Sequence, residues 1–168
     1  MEQQSDLRDL LLNERVPLLS DGAMGTQLHA RGVSFDECFD ALNLTNPNLV
    51  FQIHSDYLQA GSDLLQTNTF GANRYKLALH GLEKELKRIN QEGVKLARQA
   101  AEAATKKVYI LGDVGPLGVR LAPFGRVQPE QARRAFREQI EALLEAGVDG
   151  IILETFSDLY EIKEAIQA

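Results

Sequence analysis

The sequence predicts an α/β fold: one helix, then four β–α units on a parallel sheet. Three observations carry this. Four short apolar runs of strand length recur, ending near residues 21, 69, 113 and 154. Each is followed, directly or after a loop, by a segment with apolar residues at helical spacing. The long loops all leave the C-terminal side of a strand. Alternation of this kind means parallel strands joined by right-handed crossovers.

Residues 6–14 read as a short amphipathic helix, capped by Ser5 or Asp6, with Leu7, Leu10 and Leu11 on one face. Placed before the first strand, it suits the bottom of a barrel. The first strand is 17–21, and it ends on a carboxylate, Asp21. Gly22 and Gly25 follow, and they predict a sharp bend and a close approach of backbone to ligand. Residues 26–44 form a long connection holding Gly32, Phe35, Cys38 and Phe39. A connection of that length is unusual unless it is functional.

Thr45-Asn46-Pro47-Asn48 opens a helix with Leu49, Val50, Ile53, Tyr57 and Leu58 at core spacing, stopped by Gly61. The second strand is 63–69, followed by a brief helix at 73–79 and His80-Gly81. A long helix at 82–104 turns Leu86, Ile89, Val94, Leu96 and Ala97 inward and Lys, Arg, Glu and Gln outward. The third strand is 107–113, and 115–128 is a second long loop punctuated by Pro116, Gly118, Pro123 and Gly125. Pro129 opens a helix carrying Ala132, Phe136, Ile140, Leu143 and Leu144 inward, to Ala146-Gly147. The fourth strand is 148–154, and Ser157 or Asp158 caps a last helix through Leu159, Ile162 and Ile166.

Two architectures fit this order: a doubly wound sheet, or half of a (β/α)8 barrel with a capping helix. The loop asymmetry favours the barrel. A complete barrel needs about 250 residues. The chain has 168, so residues 1–168 read as its first four β/α units, with no internal boundary, linker or repeat. A half barrel leaves the edges of its first and fourth strands unpaired, so self-association is expected.

The bulk numbers bound the function. Hydrophobic content of 44% and charged content of 25% suit a globular domain with a real core. A net charge of -6, with no dense basic stripe, argues against a nucleic-acid partner. No apolar run approaches the roughly 20 residues of a membrane span, and Met1 to Asp6 lack a signal-peptide core. The expectation is a cytoplasmic protein without a membrane partner. Cys38, the single cysteine, excludes an internal disulfide and a multi-cysteine metal site in this chain.

The strand ends carry the chemistry. Asp21 and Glu154 are acids expected at the mouth of the sheet, where sites of such folds sit. Together they can hold a cation such as an α-amino group, act as acid and base, or bind a hard metal ion. The competing reading is that each merely caps the segment after it. Thr67-Asn68-Thr69 offers hydroxyls and an amide, or simply turn chemistry; Asp113 contacts a ligand or orients the loop after it. Gly22, Gly25, Gly112 and Gly115 let main-chain N–H groups face an anion, but they form no dinucleotide fingerprint. Tyr75 follows the second strand within reach of the site, or packs. His54 and His80 sit in or after helices, away from the strand ends, and Cys38 reads as an inert small apolar residue.

Four ordered motifs resemble the homocysteine S-methyltransferase family. They are Asp21-Gly22-Ala23-Met24-Gly25-Thr26, Gln66-Thr67-Asn68-Thr69-Phe70-Gly71-Ala72-Asn73, Gly112-Asp113-Val114-Gly115-Pro116 and Asp149-Gly150-Ile151-Ile152-Leu153-Glu154-Thr155. The resemblance covers the chain from about residue 15 onward. It implies a (β/α)8 barrel that moves a methyl group to the thiol of homocysteine, giving methionine. It implies that Asp21 and Glu154 bind the amino group and that Gly22, Ala23 and Met24 lie against the amino acid. Thr67, Asn68 and Asp113 would line the pocket or its methyl-donor side. The family holds homocysteine as a thiolate on zinc, through cysteines in an Asn-Cys and a Gly-Gly-Cys-Cys element. Neither element occurs here, so no catalytic residue and no metal ligand is assigned, and the chain alone is expected to be inactive. Methylcobalamin or methyltetrahydrofolate, through other domains, are the methyl donors the resemblance suggests. Two other readings stay open: a self-associating scaffold without ligand function, and a complete doubly wound enzyme acting on another small metabolite.

Overall fold

Three parallel strands in sequential order organise the molecule, a computed structural model that describes residues 7–12 and 17–168. They are β1 (Leu64–Gln66), β2 (Tyr109–Val114) and β3 (Gly150–Leu153). Leu65 lies opposite Ile110, and Gly112 opposite Ile151. The order β1-β2-β3 contains no switch point among the described residues, and that counts against the doubly wound arrangement.

The predicted first strand is a correction. Residues 17–21 form no regular strand; a single parallel bridge joins Ser20 to Leu64. The Leu19 carbonyl accepts from Asp63 and Leu64 N–H, and Asp21 N–H donates to Leu64 O at 3.0 Å. The segment therefore follows the edge of β1 in the expected place. It is too short, and too exposed at Leu19, to build a ladder. The other strands are shorter than predicted: β1 and β3 stop short of residues 69 and 154, while β2 starts two residues late and runs one residue past Asp113.

The helices follow from apolar spacing. They are α1 (Leu7–Leu11), α2 (Met24–Ala30), α3 (Leu42–Thr45), α4 (Pro47–Gln59), α5 (Arg74–Ala78), α6 (Leu86–Glu102), α7 (Pro129–Glu145) and α8 (Leu159–Ile166). The caps foreseen for the first helix, and its end at residue 14, lie outside the described residues; Leu7 itself packs with Leu64 and Tyr109. The predicted long connection at 26–44 is largely helical instead. It holds α2, a 3-10 turn at Phe39–Ala41 and the start of α3. Leu28 and Leu42 drive this by packing with Val50 and Ile53 on α4. A second 3-10 turn, Glu83–Glu85, precedes α6, so that helix begins later than its sequence suggests.

Pro129 sits at the first turn of α7, and Gln128 with Gln131 forms a reciprocal capping box. Asp158, of the two caps foreseen, closes α8 by accepting from Tyr160 N–H at 2.8 Å. Helix α6 packs between α4 and α7, and all three cover one face of the sheet. Leu65, Ala97 and Ile110 share one core cluster; Val114, Leu117, Phe136 and Leu143 share another. Burying each such Leu, Ile or Phe contributes roughly 1.5–3 kcal/mol.

Candidate functional site

The four predicted strand ends come together. Asp21, Gly22, Ala23, Met24, Gln66, Thr67, Asp113 and Glu154 enclose a cavity of about 270 Å³ at the C-terminal edge of the sheet. A larger compartment of about 650 Å³ adjoins it. The two share Ala23, Met24, Thr67, Asp113 and Glu154, while Phe35, Phe39 and Phe70 wall the larger one.

Each acid is held differently. The Asp21 carboxylate accepts Gln66 N–H at 3.0 Å, and the Ser20 hydroxyl donates to it at 3.3 Å. Burial nonetheless pushes its pKa up to about 6, and the charge on Glu154 adds to that. Asp113 is 6% exposed, and its Oδ1 has no hydrogen-bond partner. Burial, then the charges of Glu154, Asp40 and Asp21, push Asp113 up to about 8, with Lys76 acting the other way. Glu154 is half-buried at the end of β3, and its N–H donates to Val114 O at 3.2 Å. Thr155, next in the chain, takes φ 59°, a conformation costing a β-branched residue on the order of 1–3 kcal/mol. Strain of this size sits where the chain turns away from the carboxylate.

Thr67 and Thr69 close a ring on β2. Asp113 N–H donates to Thr67 Oγ1 at 3.0 Å, the two hydroxyls lie 2.6 Å apart, and Thr69 Oγ1 donates to Asp113 O at 2.8 Å. The Thr67 hydroxyl is therefore spent within the protein. Asn68 donates to Phe39 O at 2.8 Å and to Asn43 Oδ1 at 3.0 Å, and so ties down the segment before α3.

Gly22 lines the small cavity and Gly25 the larger one, and neither has a positive φ. They are small because Tyr57 lies against Gly22 and Phe39 against Gly25, where an added Cβ would stand 3.1 Å from the Tyr57 hydroxyl and 3.3 Å from the Phe39 ring. Tyr75 packs with the Val114 and Phe136 cluster instead of reaching the site. His80 lines the larger compartment, contrary to its expected remoteness. Cys38 lines it too, with its thiol pushed up by burial and by Asp40.

Sequence reasoning missed a set of buried amides. Asn43 donates to Asn68 O (2.8 Å), Gln139 to Thr69 O (2.7 Å) and Asn90 to Ala72 O (2.8 Å). Amides from three helices thus satisfy the carbonyls of the loop that follows β1. Their signal was present: Asn90 and Gln139 are polar residues at core positions of amphipathic helices.

The sequence profile of the homocysteine S-methyltransferase family matches residues 18–168. The chain belongs to the homocysteine S-methyltransferase family. It is 36% identical over 171 residues to the methionine synthase of Mycobacterium tuberculosis, covering 96% of this chain and 14% of that protein. It is 36% identical over 178 residues to the homocysteine S-methyltransferase of Escherichia coli, covering 97% of this chain and 57% of that enzyme. The oxidised crystal form of the Escherichia coli homocysteine methyltransferase superposes with a TM-score of 0.82 at 32% identity, covering 96% of this chain and 60% of that one. Its metallated form gives 0.81 at 31% identity, covering 96% and 61%. The chain thus spans little more than half of the Escherichia coli enzyme, and far less of the methionine synthase.

A metal centre does not fit the residues at hand. Among the described residues no group of three His, Cys, Asp or Glu side chains could hold a metal ion.

Proposed function

We propose that this chain holds the amino-acid end of homocysteine in a protein that transfers a methyl group to its thiol, forming methionine. One observation carries the reading. Asp21, Asp113 and Glu154 line one small cavity, and none of them has an ion-pair partner among the described residues. Three acids without a cation, and without the geometry for a metal, suit an α-ammonium group. The backbone of Gly22 to Met24 lies beside them, where it can follow the rest of a zwitterion. Thr67 and Asn68 serve by fixing the wall rather than by touching the ligand.

Membership in the family and the sequential strand order support reading the sheet as the opening part of a closed (β/α)8 barrel. The zinc expected from the resemblance finds no ligand set among the described residues, so no step of this reading passes through a metal. The larger compartment beside the acids is where a methyl donor would approach; methylcobalamin and methyltetrahydrofolate remain the proposed donors. No described helix is long and apolar enough to cross a membrane.

Calorimetric titration of L-methionine into the full-length protein tests the reading. Binding that falls at least tenfold in Asp21→Asn and in Glu154→Gln is the expected result, since a hydrogen bond to a charged group is worth about 1.5–3 kcal/mol. Equal binding by both variants and the parent would sink it. Absence of any methionine binding would favour the scaffold alternative.

A further inference from the structure

We propose that Asp113 is the proton-exchanging residue of the acidic cavity: without ligand its carboxyl carries a proton, and the ammonium of an entering amino acid displaces it. The inference deepens the amino-acid reading above and rests on it.

The geometry comes first. Asp113 is 6% exposed, its Oδ1 is enclosed without a partner, and its side chain walls both compartments. The Thr67–Thr69 ring fixes its backbone on both the N–H and the C=O side, which holds the residue at the cavity wall. Asp21 is placed otherwise. It accepts Gln66 N–H and the Ser20 hydroxyl, two contacts that favour its charged form.

The groups facing Asp113 are Glu154 at the end of β3, Asp21 before β1, Asp40 in the 3-10 turn and Lys76 on α5. Three are acids and one is a cation. Helix α7, which packs on β2, brings the neutral Gln139 to the neighbouring Thr69 carbonyl. Lys76 is not within ion-pair distance of any carboxylate among the described residues, and its Nζ lies 4.2 Å from the Phe70 ring centroid. A bare carboxylate at Asp113 would therefore be buried, unpaired and surrounded by like charge. A proton relieves this, and the pKa values agree: about 8 for Asp113 against about 6 for Asp21.

An ammonium entering between Asp21, Glu154 and Asp113 does the same work as that proton. One positive charge enters and one leaves. The carboxyl O–H bond breaks, its electron pair stays on the carboxylate oxygen, and the proton passes to the buffer. No covalent bond to the ligand is involved.

The test is calorimetry of L-methionine into the full-length protein at pH 7, in phosphate and in Tris, two buffers with different heats of ionisation. The expected release is roughly 0.8–1 proton per ligand bound, and the affinity rises up to about tenfold per pH unit between pH 6 and 8. In Asp113→Asn the release at pH 7 falls to about 0.1 proton and the affinity changes no more than about twofold over that range, the remainder belonging to Asp21. If Asp113→Asn is misfolded by circular dichroism, Asp113→Ser, which also lacks the titrating group, takes its place with the same expectation. Methionine binding with no buffer dependence overturns the proposal while leaving the amino-acid reading standing. Release that persists undiminished in a folded Asp113 variant overturns it too, and assigns the proton to Asp21. Absence of methionine binding overturns the amino-acid reading and this inference with it.

Discussion

Thr67 Oγ1 accepts the backbone N–H of Asp113 at 3.0 Å, across the end of the β1–β2 ladder. The contact converts a side chain that sequence motifs mark as ligand-facing into a clamp between two strands. Its own proton is directed to Thr69, whose hydroxyl returns to Asp113 O. Thr67→Val keeps the shape and removes the acceptor. It leaves a buried N–H unpaired, a loss of about 1–3 kcal/mol. Urea denaturation should show a lower midpoint with an unchanged slope. An unaltered midpoint would mean that water replaces the hydroxyl.

His54 weakens the fold on the acid side. It is fully buried in α4, both ring nitrogens lack partners, and burial lowers its pKa from 6.5 to about 4. The folded protein therefore keeps His54 neutral, while the unfolded chain binds a proton below about 6.5. Its contribution is complete above that pH and is lost as pH falls towards 4, by on the order of 3 kcal/mol in total. His54→Leu removes both the titration and the unpaired nitrogens, so its stability relative to the parent should rise as pH falls from 6.5 to 4. Thermal melts of the two proteins across that range check it.

Asp113 and Asp21 act with the opposite sign. Their folded pKa values are raised, to about 8 and about 6, above the usual 3.8. Each contributes stability that is present at low pH and lost as pH rises through its folded value. The protein should therefore lose these contributions as pH rises from about 4, Asp21's by about pH 6 and Asp113's by about pH 8, and Asp113→Asn should remove most of the slope between pH 6 and 8. A parent profile flat between pH 6 and 8 would contradict the buried, unpaired placement of Asp113.

Most of this site was legible because it lies at strand ends, where an apolar run stopping on a polar residue is visible in one dimension. Asp21, Thr67, Asp113 and Glu154 were found that way, and all four line the small cavity. What could not be read was direction. Whether Thr67 faces a ligand or Asp113 N–H depends on register between strands 46 residues apart. The first strand misled because its apolar run is genuine, yet only Ser20 forms a bridge. The helix at Met24–Ala30 was missed because its first turn lacks a side-chain cap and carries Gly25. The amides escaped because a polar residue on a helix is usually solvated. Gln139 is instead fully buried, and its Nε2 donates to Thr69 O. Gln139→Leu should cost about 0.5–1.5 kcal/mol by removing one of the two hydrogen bonds that carbonyl accepts, the other being from Ala72 N–H at 3.0 Å, measurable by the same denaturation.

The sheet edge carries a prediction about association. Ile151, Ile152 and Leu153 on β3 are each only half-buried, and no described strand pairs with the outer side of β3. An unpaired parallel edge with apolar flanks invites pairing. A polypeptide limited to these 168 residues should therefore elute as an assembly whose size grows with concentration. A single monomer peak at all concentrations would count against an open barrel.

The ammonium assignment can be separated from general electrostatics by changing the ligand as well as the protein. Des-amino methionine keeps the thioether and carboxylate and lacks only the ammonium. If Asp21 and Glu154 grip that group, its deletion weakens binding to the parent at least tenfold, at about 1.5–3 kcal/mol per charge-assisted hydrogen bond. In Glu154→Gln the same deletion should cost clearly less, because one partner has already gone. The double difference isolates the contact from changes in cavity shape. Additive losses would mean that Glu154 never touches the ammonium. Its place in the cavity would then reflect the strained turn at Thr155 alone.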